Sequence, residues 1–410
     1  MMDTDEEKLI TKIINGEIAF HKIEEHAKPE DAVRIRRSVV ERVTKTKLDN
    51  IANQRVFYDK IINKNGENII GSISIPLGIS GPIIINGAYA KGSFYVPMAT
   101  TEGALIASVS RGMKMLNESG GVSVRIYNDS MARSPVFELE SIEKAVLLKE
   151  WIEKNKDKLS EIGNRTTSHG KVRSIDSFIV GNNVWIRVSM HTGDAMGMNM
   201  LTIASEEICK YIEKSFPGAK LVAVSGNMCS DKKESYINEL LGRGKGVVAD
   251  CLIKKEVLEK NLGVSADRIN IVNLKKNMLG SSRAGSSKHN AHFANVIASI
   301  FAATGQDIAQ VVESSSGYTW TEVRNNSLYI SVTLPSLEVG TVGGGTSLEQ
   351  QKESLFILGI DNKEAVGNNS KKFAEIITAA VLAGELNLLS ALAKRELGKA
   401  HQKLGRNKGE

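Results

Sequence analysis

The sequence predicts an α+β fold with a large helical domain around a central buried helix, an inserted ferredoxin-like small domain and a helical N-terminal arm. Three observations predict this fold. The 410 residues are enough for two or three domains. Residues 134–225 have the order strand, helix, strand, strand, helix, strand of the split ferredoxin-like arrangement. Residues 290–312 have a helical pattern that contains one acidic residue and neither lysine nor arginine, as in a buried helix.

The N-terminal arm is expected to comprise residues 1–65, which are rich in charge. Ile10, Ile13 and Ile14 recur at helical spacing, and a similar apolar set begins at Val39. We therefore expect short amphipathic helices that serve packing or dimerisation rather than chemistry.

The large domain is predicted to be formed by residues 66–133 and 226–410. Alternation over residues 69–76 predicts a strand that ends at Pro76. Gly78, Gly81 and Gly87 then indicate turns in an apolar ribbon, and a helix is predicted over residues 105–116.

The small domain, residues 134–225, is predicted to be inserted into the large one as a compact module. A Gly181-Asn182-Asn183 turn between two strand patterns indicates a hairpin. The predicted elements are a strand over 135–139, a helix over 142–159, strands over 171–180 and 184–190, a helix over 195–216 and a strand over 220–224.

Beyond Gly226 the sequence predicts mainly helices, including a long helical stretch over residues 373–404. The helix over 290–312 places its polar residues within one arc, and Asp307 is its only charge. The arc either faces a ligand or satisfies neighbouring backbone groups. Its members are His292, Asn295, Ser299, Gln306, Asp307 and Gln310.

Composition excludes several classes of protein. The net charge of +6 suits phosphate-bearing cofactors as well as nucleic acid, but the 5% aromatic content gives little sign of base-stacking platforms, so no nucleic-acid partner is expected. Three well-separated cysteines predict a reduced, cytoplasmic compartment. The acidic start is unlike a signal peptide, and no apolar stretch approaches the length of a membrane span, so we expect a soluble protein.

Several short segments contain more charged residues and glycines than packing alone requires. No Walker A or Rossmann glycine motif is present. Glu102 follows two threonines before a helix: it is either buried with a raised pKa that suits proton donation, or an acid stabilised by the helix dipole. Lys232 and Lys233 end a turn-rich loop, where a lysine either stabilises a carbonyl oxygen as it becomes an alkoxide or is an ordinary surface charge.

Two glycine-containing segments favour close approach of a ligand to the backbone. Residues 193–200 place small residues at a helix start, where free N–H groups suit a diphosphate, although their methionines suit a core equally well. Residues 340–346 contain a triple glycine that suits either a ligand contact or a flexible turn. His401, near the C-terminal end, is either a surface residue or a group that closes over a ligand.

Taken in order, these segments closely resemble the hydroxymethylglutaryl-coenzyme A (HMG-CoA) reductase family, in its class I type and its soluble, archaeal-like form. The resemblance runs from Glu67 to His401. The matching blocks are ENIIG, GISGP, PMATTEG, SRG, MARSPV, GDAMGMNM, SGNMCSDKK, GRGK, NAHFAN, GQDIAQ, LPSLEVGTVGGGT, GEL and KAH. The resemblance implies four-electron reduction of (S)-HMG-CoA to (R)-mevalonate and CoA, by two hydride transfers from NADPH through mevaldyl-CoA and mevaldehyde, without a metal.

The resemblance also implies roles for individual residues. The catalytic set is Glu102, Lys232, Asp307 and His401, in which Lys232 stabilises the carbonyl oxygen and His401 protonates the departing CoA thiolate. The substrate-binding set is Arg133, Ser225, Lys233, Asn295 and, in support, His292. The NADPH-binding set is Ser108, Arg111, Asp194, Met196, Gly197, Met198 and Asn199, with Arg111 suited to the 2′-phosphate.

Three departures from animal members limit what the resemblance implies. Thr167 and Ser168 replace a serine-arginine pair, so the preference for NADPH over NADH depends mainly on Arg111. Asn407 stands where animal members have a phosphorylated serine, and their membrane domain has no counterpart. The resemblance further implies a homodimer, or a dimer of dimers, in which Glu102 and Lys232 of one site come from different subunits.

Two other classes of function remain open from the residues alone. A CoA-thioester hydrolase or lyase could use Lys232, Glu102 and His401 but would not need the GDAMGMNM segment. A non-catalytic nucleotide-binding protein would keep its ligand affinity when Lys232 is changed.

Overall fold

The computed structural model describes residues 4–53, 65, 72–361 and 363–394, which combine helices with an antiparallel sheet. The helices are α1 (Thr4–Ile14), α2 (Pro29–Thr44), α3 (Asp49–Asn53), α4 (Leu105–Glu118), α5 (Ile142–Lys154), α6 (Lys156–Asn164), α7 (Met198–Ser215), α8 (Tyr236–Leu241), α9 (Lys255–Leu262), α10 (Ala266–Val272), α11 (Ser281–Ala284), α12 (Phe293–Thr304), α13 (Val311–Ser314), α14 (Glu349–Ile357) and α15 (Asn368–Ala393). Short 3₁₀ turns occur at Phe20–Glu25, Ile308–Gln310 and Gly344–Ser347, and a π-helical stretch at Asn273–Gly280.

Ten strands join through hydrogen bonds into a sheet with two parts. The strands are β1 (Leu77–Asn86), β2 (Lys91–Ala99), β3 (Val122–Arg133), β4 (Val136–Glu138), β5 (Lys171–Val180), β6 (Asn183–His191), β7 (Lys220–Ala223), β8 (Gly244–Ile253), β9 (Tyr318–Arg324) and β10 (Ser327–Leu337). The first part has the order β2-β1-β3-β8-β10-β9, in which only the short β1–β3 pairing is parallel. The second part has the order β7-β4-β6-β5 and is antiparallel throughout.

Strand β3 belongs to both parts of the sheet. Its first two thirds pair with β8, and its last residues, from Met131 to Arg133, pair with β6. At the crossing, Asp129 forms an ion pair with Lys245 of β8 at 2.9 Å, and its Oδ2 atom lies 3.2 Å from Nε2 of His191 in β6. Burial alone would raise the pKa of Asp129, but these two partners outweigh it and lower that pKa to about 2. The carboxylate therefore stays charged and ties the two parts together.

The predicted order of elements over residues 134–225 is the order observed, with small differences. The helix predicted over 142–159 is divided at Asn155 into α5 and α6, because Asn155 leaves the helical conformation there. The hairpin turns at Gly181, whose φ of +59° favours glycine. The side chains between the sheet and helices α5 to α7 form a hydrophobic cluster of their own, centred on Phe137, Leu148 and Ile208.

The main hydrophobic core surrounds α15, which is buried along nearly its whole length. This helix packs against α4, α12, β8 and β10. Its composition alone, with a hydropathy of 1.8, would allow a membrane span, but 83% of that stretch is buried inside the protein. α15 is therefore a core helix, and the buried carboxylates Glu375 and Glu385 interrupt its apolar sequence.

Three carboxylates satisfy buried backbone N–H groups around α15. Asp194 accepts hydrogen bonds from the N–H groups of Gly367 and Ser370, at 2.9 and 2.8 Å, and so caps the start of α15. Glu375 accepts bonds from the β1–β2 turn, and Glu385 accepts bonds from Thr319 and from the backbone before α12. The core helix and the loops around it are thus joined by charge-assisted hydrogen bonds.

Helices α1 and α2 form the predicted N-terminal helices and share a small cluster centred on Ile10, Ile23 and Ile35. Helix α3 is joined to the main body because Glu353 of α14 accepts the backbone N–H bonds of Asn50 and Ile51, both at 2.9 Å. This carboxylate caps the start of α3 from outside the helix.

Several predicted elements differ from the structure. The large part contains a sheet beside its helices, formed by β1 to β3 and β8 to β10, which the sequence did not predict. Helix 290–312 is wrong as a single element, since α12 ends at Thr304, where Gly305 adopts a φ of +72°. The buried central helix is instead α15, which begins at Asn368 and ends at Ala393. Most of the remaining predicted helical stretch, from residue 395, lies outside the described residues.

The strand predicted over residues 69–76 is also displaced. Its described part, residues 72–76, has no regular secondary structure, and β1 begins at Leu77. Gly78 and Gly81 therefore lie within β1 rather than in turns, and the pairing of β1 with β2 is irregular between Ser80 and Ile83. Residues 66–71 lie outside the described residues.

Gly112 of α4 offers a test of the helix packing. A Cβ atom at this position would overlap the backbone carbonyl of Ala383 in α15, so the helices can approach only with glycine here. We expect Gly112→Ala to lower the free energy of unfolding by about 1–3 kcal/mol through overpacking, although alanine favours helix. Urea unfolding followed by circular dichroism measures this change.

Gly280→Ala is the matched control, because a Cβ atom there would approach only the Lys275 carbonyl, at 3.2 Å, a tight contact that falls short of overlap. This variant should change the free energy of unfolding clearly less than Gly112→Ala does. Equal stability of Gly112→Ala and Gly280→Ala would contradict the packing argument.

Candidate active site

Lys232 and Asp307 form the centre of the candidate site. The Lys232 Nζ atom lies 3.0 Å from Asp307 Oδ2. Asp307 precedes the 3₁₀ turn Ile308–Gln310, and its Oδ1 atom accepts the N–H bond of Ala309 at 3.1 Å, which fixes the carboxylate. The hydrogen bond to Asp307 raises the pKa of Lys232 above its ordinary value. Because the Lys232 side chain is 46% exposed, this fixed cation is accessible to a ligand.

The backbone of the Lys232 loop is strained. Asn227, Ser230 and Lys232 have φ values of +66°, +46° and +57°, a region that non-glycine residues occupy at a cost of about 1–3 kcal/mol each. The N–H group of Lys232 donates to Glu313 Oε1 at 2.7 Å. Contacts with the surrounding protein therefore hold Lys232 in a conformation that the loop alone would avoid.

A buried arginine lies beneath this loop. Arg243 is fully buried and forms ion pairs with Asp231 at 3.0 Å, with Glu313 at 2.8 Å and with Glu338. Burial raises the pKa of Glu313, and it raises the pKa of Glu338 well above its ordinary value. One guanidinium thus joins three carboxylates from separate segments of the chain.

Arg133 and Ser225, predicted to bind the same ligand, are in contact. The Arg133 Nη1 atom donates to Ser225 Oγ at 3.1 Å and lies 3.7 Å from Asp231 Oδ2. Its Nε and Nη2 atoms donate to Thr202 Oγ1 of α7, at 3.2 and 2.9 Å. The structure therefore brings an oriented guanidinium and a hydroxyl together beside the Lys232 loop. Lys233, also exposed, donates to the Asp231 carbonyl at 3.1 Å.

Glu102 and Asn295 meet at another position. The Asn295 amide donates to Glu102 Oε1 at 3.3 Å. Glu102 is exposed in the single chain, so the burial that was one of its two interpretations is not found there. It precedes α4, whose N-cap is Ala104 in a left-handed conformation with φ +73°. In the described part of one chain, Glu102 forms no ion pair with Lys232.

His292 immediately precedes α12. Its backbone N–H group donates to Glu385 Oε1 at 2.8 Å. Its Nε2 atom is buried beside Gly384 and has no hydrogen-bond partner among the described residues. The backbone of His292 is therefore fixed, while the Nε2 atom of its ring has no partner among the described residues.

Three glycine-containing loops meet where the cofactor was predicted. The N–H group of Thr341 donates to the Asp194 carbonyl at 2.7 Å, and Gly340 donates to Gln306 Oε1 at 2.9 Å. Gly305 and Gly345 approach so closely that a Cβ atom on either would overlap the other's backbone. Gly345 is therefore packed, whereas Gly343 and Gly344 are exposed and a Cβ atom on either would meet nothing within 4 Å.

The remaining predicted cofactor residues divide into two groups. Gly197, with a φ of +98°, is the N-cap residue of α7 and has no side chain to cap it. The first N–H groups of α7 are therefore available to an anion. Next to it Asn199 is exposed, while Met196 and Met198 pack partly against the small hydrophobic cluster. Asp194 itself is buried as the cap of α15.

Ser108 and Arg111 form the second group, on α4. Ser108 accepts a hydrogen bond from Asn387 of α15 at 2.7 Å, and Arg111 is exposed. Among the hydrogen bonds and ion pairs of the described residues, neither contacts residues 194–199. The predicted role of His401 falls on a residue outside the described part of the chain.

Several residues that shape the site have no role predicted from the sequence. Four of them lie within the matching sequence blocks, which mark their positions but not their burial. Thr202 and Glu313 lie in ordinary helical sequence and carry no such signal. These residues are Thr202, Asp231, Arg243, Glu313, Glu338 and Glu385.

Comparison with known proteins assigns the chain to one family. The sequence profile described as hydroxymethylglutaryl-coenzyme A reductase matches residues 32–406. A 3-hydroxy-3-methylglutaryl-coenzyme A reductase of Aeropyrum pernix is 51% identical over 403 residues, covering 98% of this chain and 96% of its own length. The Methanocaldococcus jannaschii protein of the same name is 47% identical, covering 97% of this chain and 98% of its own length.

A solved structure shares the fold. It is the class II 3-hydroxy-3-methylglutaryl-CoA reductase from Streptococcus pneumoniae bound to NADPH in open conformations. It superposes with a TM-score of 0.73 and covers 92% of this chain and 100% of that one. At 20% sequence identity this likeness concerns the fold alone.

Proposed function

This chain belongs to the hydroxymethylglutaryl-coenzyme A reductase family, and from that premise we propose how its residues reduce HMG-CoA to mevalonate and CoA with NADPH. The observation that carries the assignment of roles is the Lys232–Asp307 pair beside the Arg133–Ser225 contact. The pair offers a cation for a developing oxyanion, and the contact offers a place for a carboxylate-bearing substrate.

Lys232 is the group that stabilises the reacting carbonyl oxygen. Hydride addition to a thioester places negative charge on that oxygen, and a fixed ammonium stabilises the charge more than a mobile one does. Asp307 keeps Lys232 protonated and limits its movement. The same pair serves the second reduction, since an aldehyde oxygen develops the same charge.

The HMG group is bound by residues around this pair. Arg133 and Lys233 pair with its terminal carboxylate, and Ser225 adds a hydroxyl that already contacts Arg133. Asn295 and His292 contribute from the start of α12. The unpartnered Nε2 atom of His292 is suited to a hydrogen bond with the ligand.

Two further groups handle protons. His401 protonates the departing CoA thiolate. A thiol has a reference pKa of about 8.5, and the charged thiolate is the form that can add back to the carbonyl, so protonation prevents re-addition. Glu102 supplies the proton to the aldehyde oxygen. Its exposure in the single chain is consistent with a site that is completed by a second chain.

NADPH, when bound, would supply one hydride, and two NADPH molecules bound in turn would supply the two hydrides of the reaction. Met196, Gly197, Met198 and Asn199 would hold its diphosphate region, a fit supported by the uncapped N–H groups at the start of α7. Asp194, a buried anion, would contribute by fixing this loop against the start of α15. Ser108 and Arg111, which lie apart from that loop in one chain, contact the cofactor from α4, and Arg111 pairs with the 2′-phosphate.

The chain is organised as a ferredoxin-like NADPH module, residues 134–225, inserted into a large domain of residues 66–133 and 226–410, with an N-terminal helical domain over 1–65. The separate hydrophobic clusters support this division. The enzyme works in the cytoplasm.

We also propose a homodimer that shares its active sites. Helices cover one face of the large sheet, while the opposite face exposes apolar side chains. Tyr127 is 57% exposed, Leu252 45% and Trp320 44%, and the paired strands β3, β8, β10 and β9 bring such residues onto one surface. A second copy that covers this face would bury them and could bring its Glu102 to Lys232.

Consumption of NADPH in the presence of HMG-CoA tests the function. We expect two NADPH oxidised and one CoA thiol released per HMG-CoA, because conversion of a thioester to an alcohol takes four electrons. Lys232→Ala should lower kcat by about 100- to 1,000-fold with a modest change in substrate KM. The nicotinamide absorbance and a thiol reagent follow the reaction.

Lys210→Ala, which removes an exposed lysine of α7, is the control and should leave kcat unchanged. Release of thiol without loss of NADPH would indicate a thioester hydrolase instead. Unchanged turnover in Lys232→Ala would contradict the role of Lys232.

The pH profile tests the role of Asp307. The hydrogen bond to Asp307 raises the pKa of Lys232, so the ammonium persists to higher pH than an ordinary lysine. Asp307→Asn removes that charge and should move the basic limb of the kcat–pH profile to lower pH. A basic limb at the same pH in the folded variant would show that Asp307 does not tune Lys232.

Co-expression of two inactive variants tests the shared site. A heterodimer of Glu102→Gln and Lys232→Ala chains has both natural residues in one of its two sites and should have about half of parental activity. Because about half of randomly paired dimers are heterodimers, the co-expressed mixture should recover about a quarter of parental activity. Sedimentation should give twice the 44.6 kDa of one chain. Lack of recovery in dimers shown to contain both chains would place both residues of a site in one chain.

A further inference from the structure

We infer that Arg243 and Glu313 are positioning residues that hold Lys232 in its reactive place, an inference that rests on the proposed role of Lys232. Neither side chain is exposed to a ligand, since Arg243 is fully buried and Glu313 nearly so. Both act on the reaction through the backbone of the Lys232 loop.

Glu313 connects the loop to Arg243. Its Oε1 atom accepts one bond from the N–H group of Lys232, at 2.7 Å, and one from Arg243 Nη1, at 2.8 Å. Glu313 lies in α13, which follows the turn capped by Asp307. Lys232 is therefore held twice by residues 307–313: Glu313 binds its backbone and Asp307 binds its side chain. These two anchors together set the direction of the ammonium.

Arg243 fixes the other end of this arrangement to the rest of the protein. Its Nε atom donates to the Ala132 carbonyl at the end of β3, at 3.2 Å. Its Nη atoms bind Asp231 of the loop, Glu313 of α13 and Glu338, which follows β10. Only a planar guanidinium has the donors to join four segments in this way, because a lysine ammonium presents one point of charge and three donors.

The strained loop supplies the reason why such anchors are needed. Asn227, Ser230 and Lys232 all adopt left-handed backbone conformations without being glycine. Such conformations persist where the surroundings over-determine them. Without the bond from Lys232 to Glu313, the loop is free to relax, and the ammonium moves away from Asp307.

The charges of the cluster favour the same interpretation. Three carboxylate side chains, Asp231, Glu313 and Glu338, surround one guanidinium. Burial raises the pKa of both glutamates, so the cluster resists full ionisation. A buried cluster of this kind contributes little net stability compared with an apolar core, so stability alone does not account for it.

Two substitutions of Glu313 separate position from charge. Glu313→Gln keeps the length of the side chain and a carbonyl oxygen that can accept the Lys232 N–H bond, but it removes the charge. Glu313→Asp keeps the charge but shortens the side chain. We expect Glu313→Gln to retain kcat within about fivefold and Glu313→Asp to lose about 30- to 100-fold, because a displacement of roughly 1 Å at a catalytic group has effects of that size. The KM for NADPH should stay within about twofold in both.

A matched control and a double variant exclude a general loss of folding. Glu375→Asp shortens another buried glutamate that accepts backbone N–H bonds, those of Tyr89 and Ala90, away from the site. It should lower the melting temperature but leave kcat per folded enzyme unchanged. In the Lys232→Ala background, Glu313→Asp should cause no further loss of kcat, because the group that it positions is gone.

Failure of the positioning role of Glu313 and failure of the catalytic role of Lys232 give different results. Full turnover in Lys232→Ala would contradict the catalytic role itself. If Lys232→Ala loses its kcat as expected but Glu313→Asp is more active than Glu313→Gln, the positioning role is overturned and Glu313 acts through its charge. Equal kcat losses in Glu313→Asp and Glu375→Asp, or additive losses in the double variant, would likewise overturn it.

Discussion

The buried N–H groups around the core helix α15 need acceptors, and carboxylates supply them. This constraint connects the core to the site. Asp194 caps the start of α15 and thereby fixes the loop that leads to α7. Glu385 accepts the N–H groups of Ala291 and His292 and thereby fixes the start of α12. Because charge-assisted bonds are shorter and stronger than neutral ones, these loops are positioned by the same helix that forms the hydrophobic core.

Polar residues of the site divide by exposure into two kinds. Arg243, Glu338 and Glu385 are buried and form bonds only within the protein. Lys232 and Glu102 are exposed and have bonding capacity left for a ligand. The division has a physical basis, since a group that has been fully desolvated and paired is difficult to redirect toward a ligand, whereas a half-exposed cation on a fixed backbone is not.

The sequence predicted local patterns well and long-range burial poorly. The order of elements over residues 134–225 followed from alternation and helical spacing, and the chain follows it with one helix divided at Asn155. The six strands of the large sheet were mostly missed, because strands such as β10 are buried on both faces near their ends and lose the alternation that marks a strand. The end of α12 before Gly305 is not visible in the sequence, because an isolated glycine is tolerated within a helix. The close approach of Gly305 to Gly345, which requires glycine, is visible only in the tertiary structure.

For the site, sequence blocks placed the right segments but not their partners. The contact of Arg133 with Ser225 and the pairing of Lys232 with Asp307 agree with the residues selected from the blocks. Arg243, by contrast, lies in the GRGK block, but nothing in the sequence indicates that this arginine is buried among three carboxylates. Such clusters depend on which distant segments meet, which no local pattern encodes.

The chain enters and leaves residues 134–225 at one point, where the N–H group of Gly226 donates to the Ser134 carbonyl at 2.6 Å. Arg133 and Ser225 flank this point and touch each other across it. A substrate carboxylate bound by both residues, as we propose, would connect the end of β3 with the last residue of this segment and favour the orientation in which both side chains reach it. Binding of the substrate and the orientation of residues 134–225 would then be thermodynamically linked, so that each favours the other to the same extent.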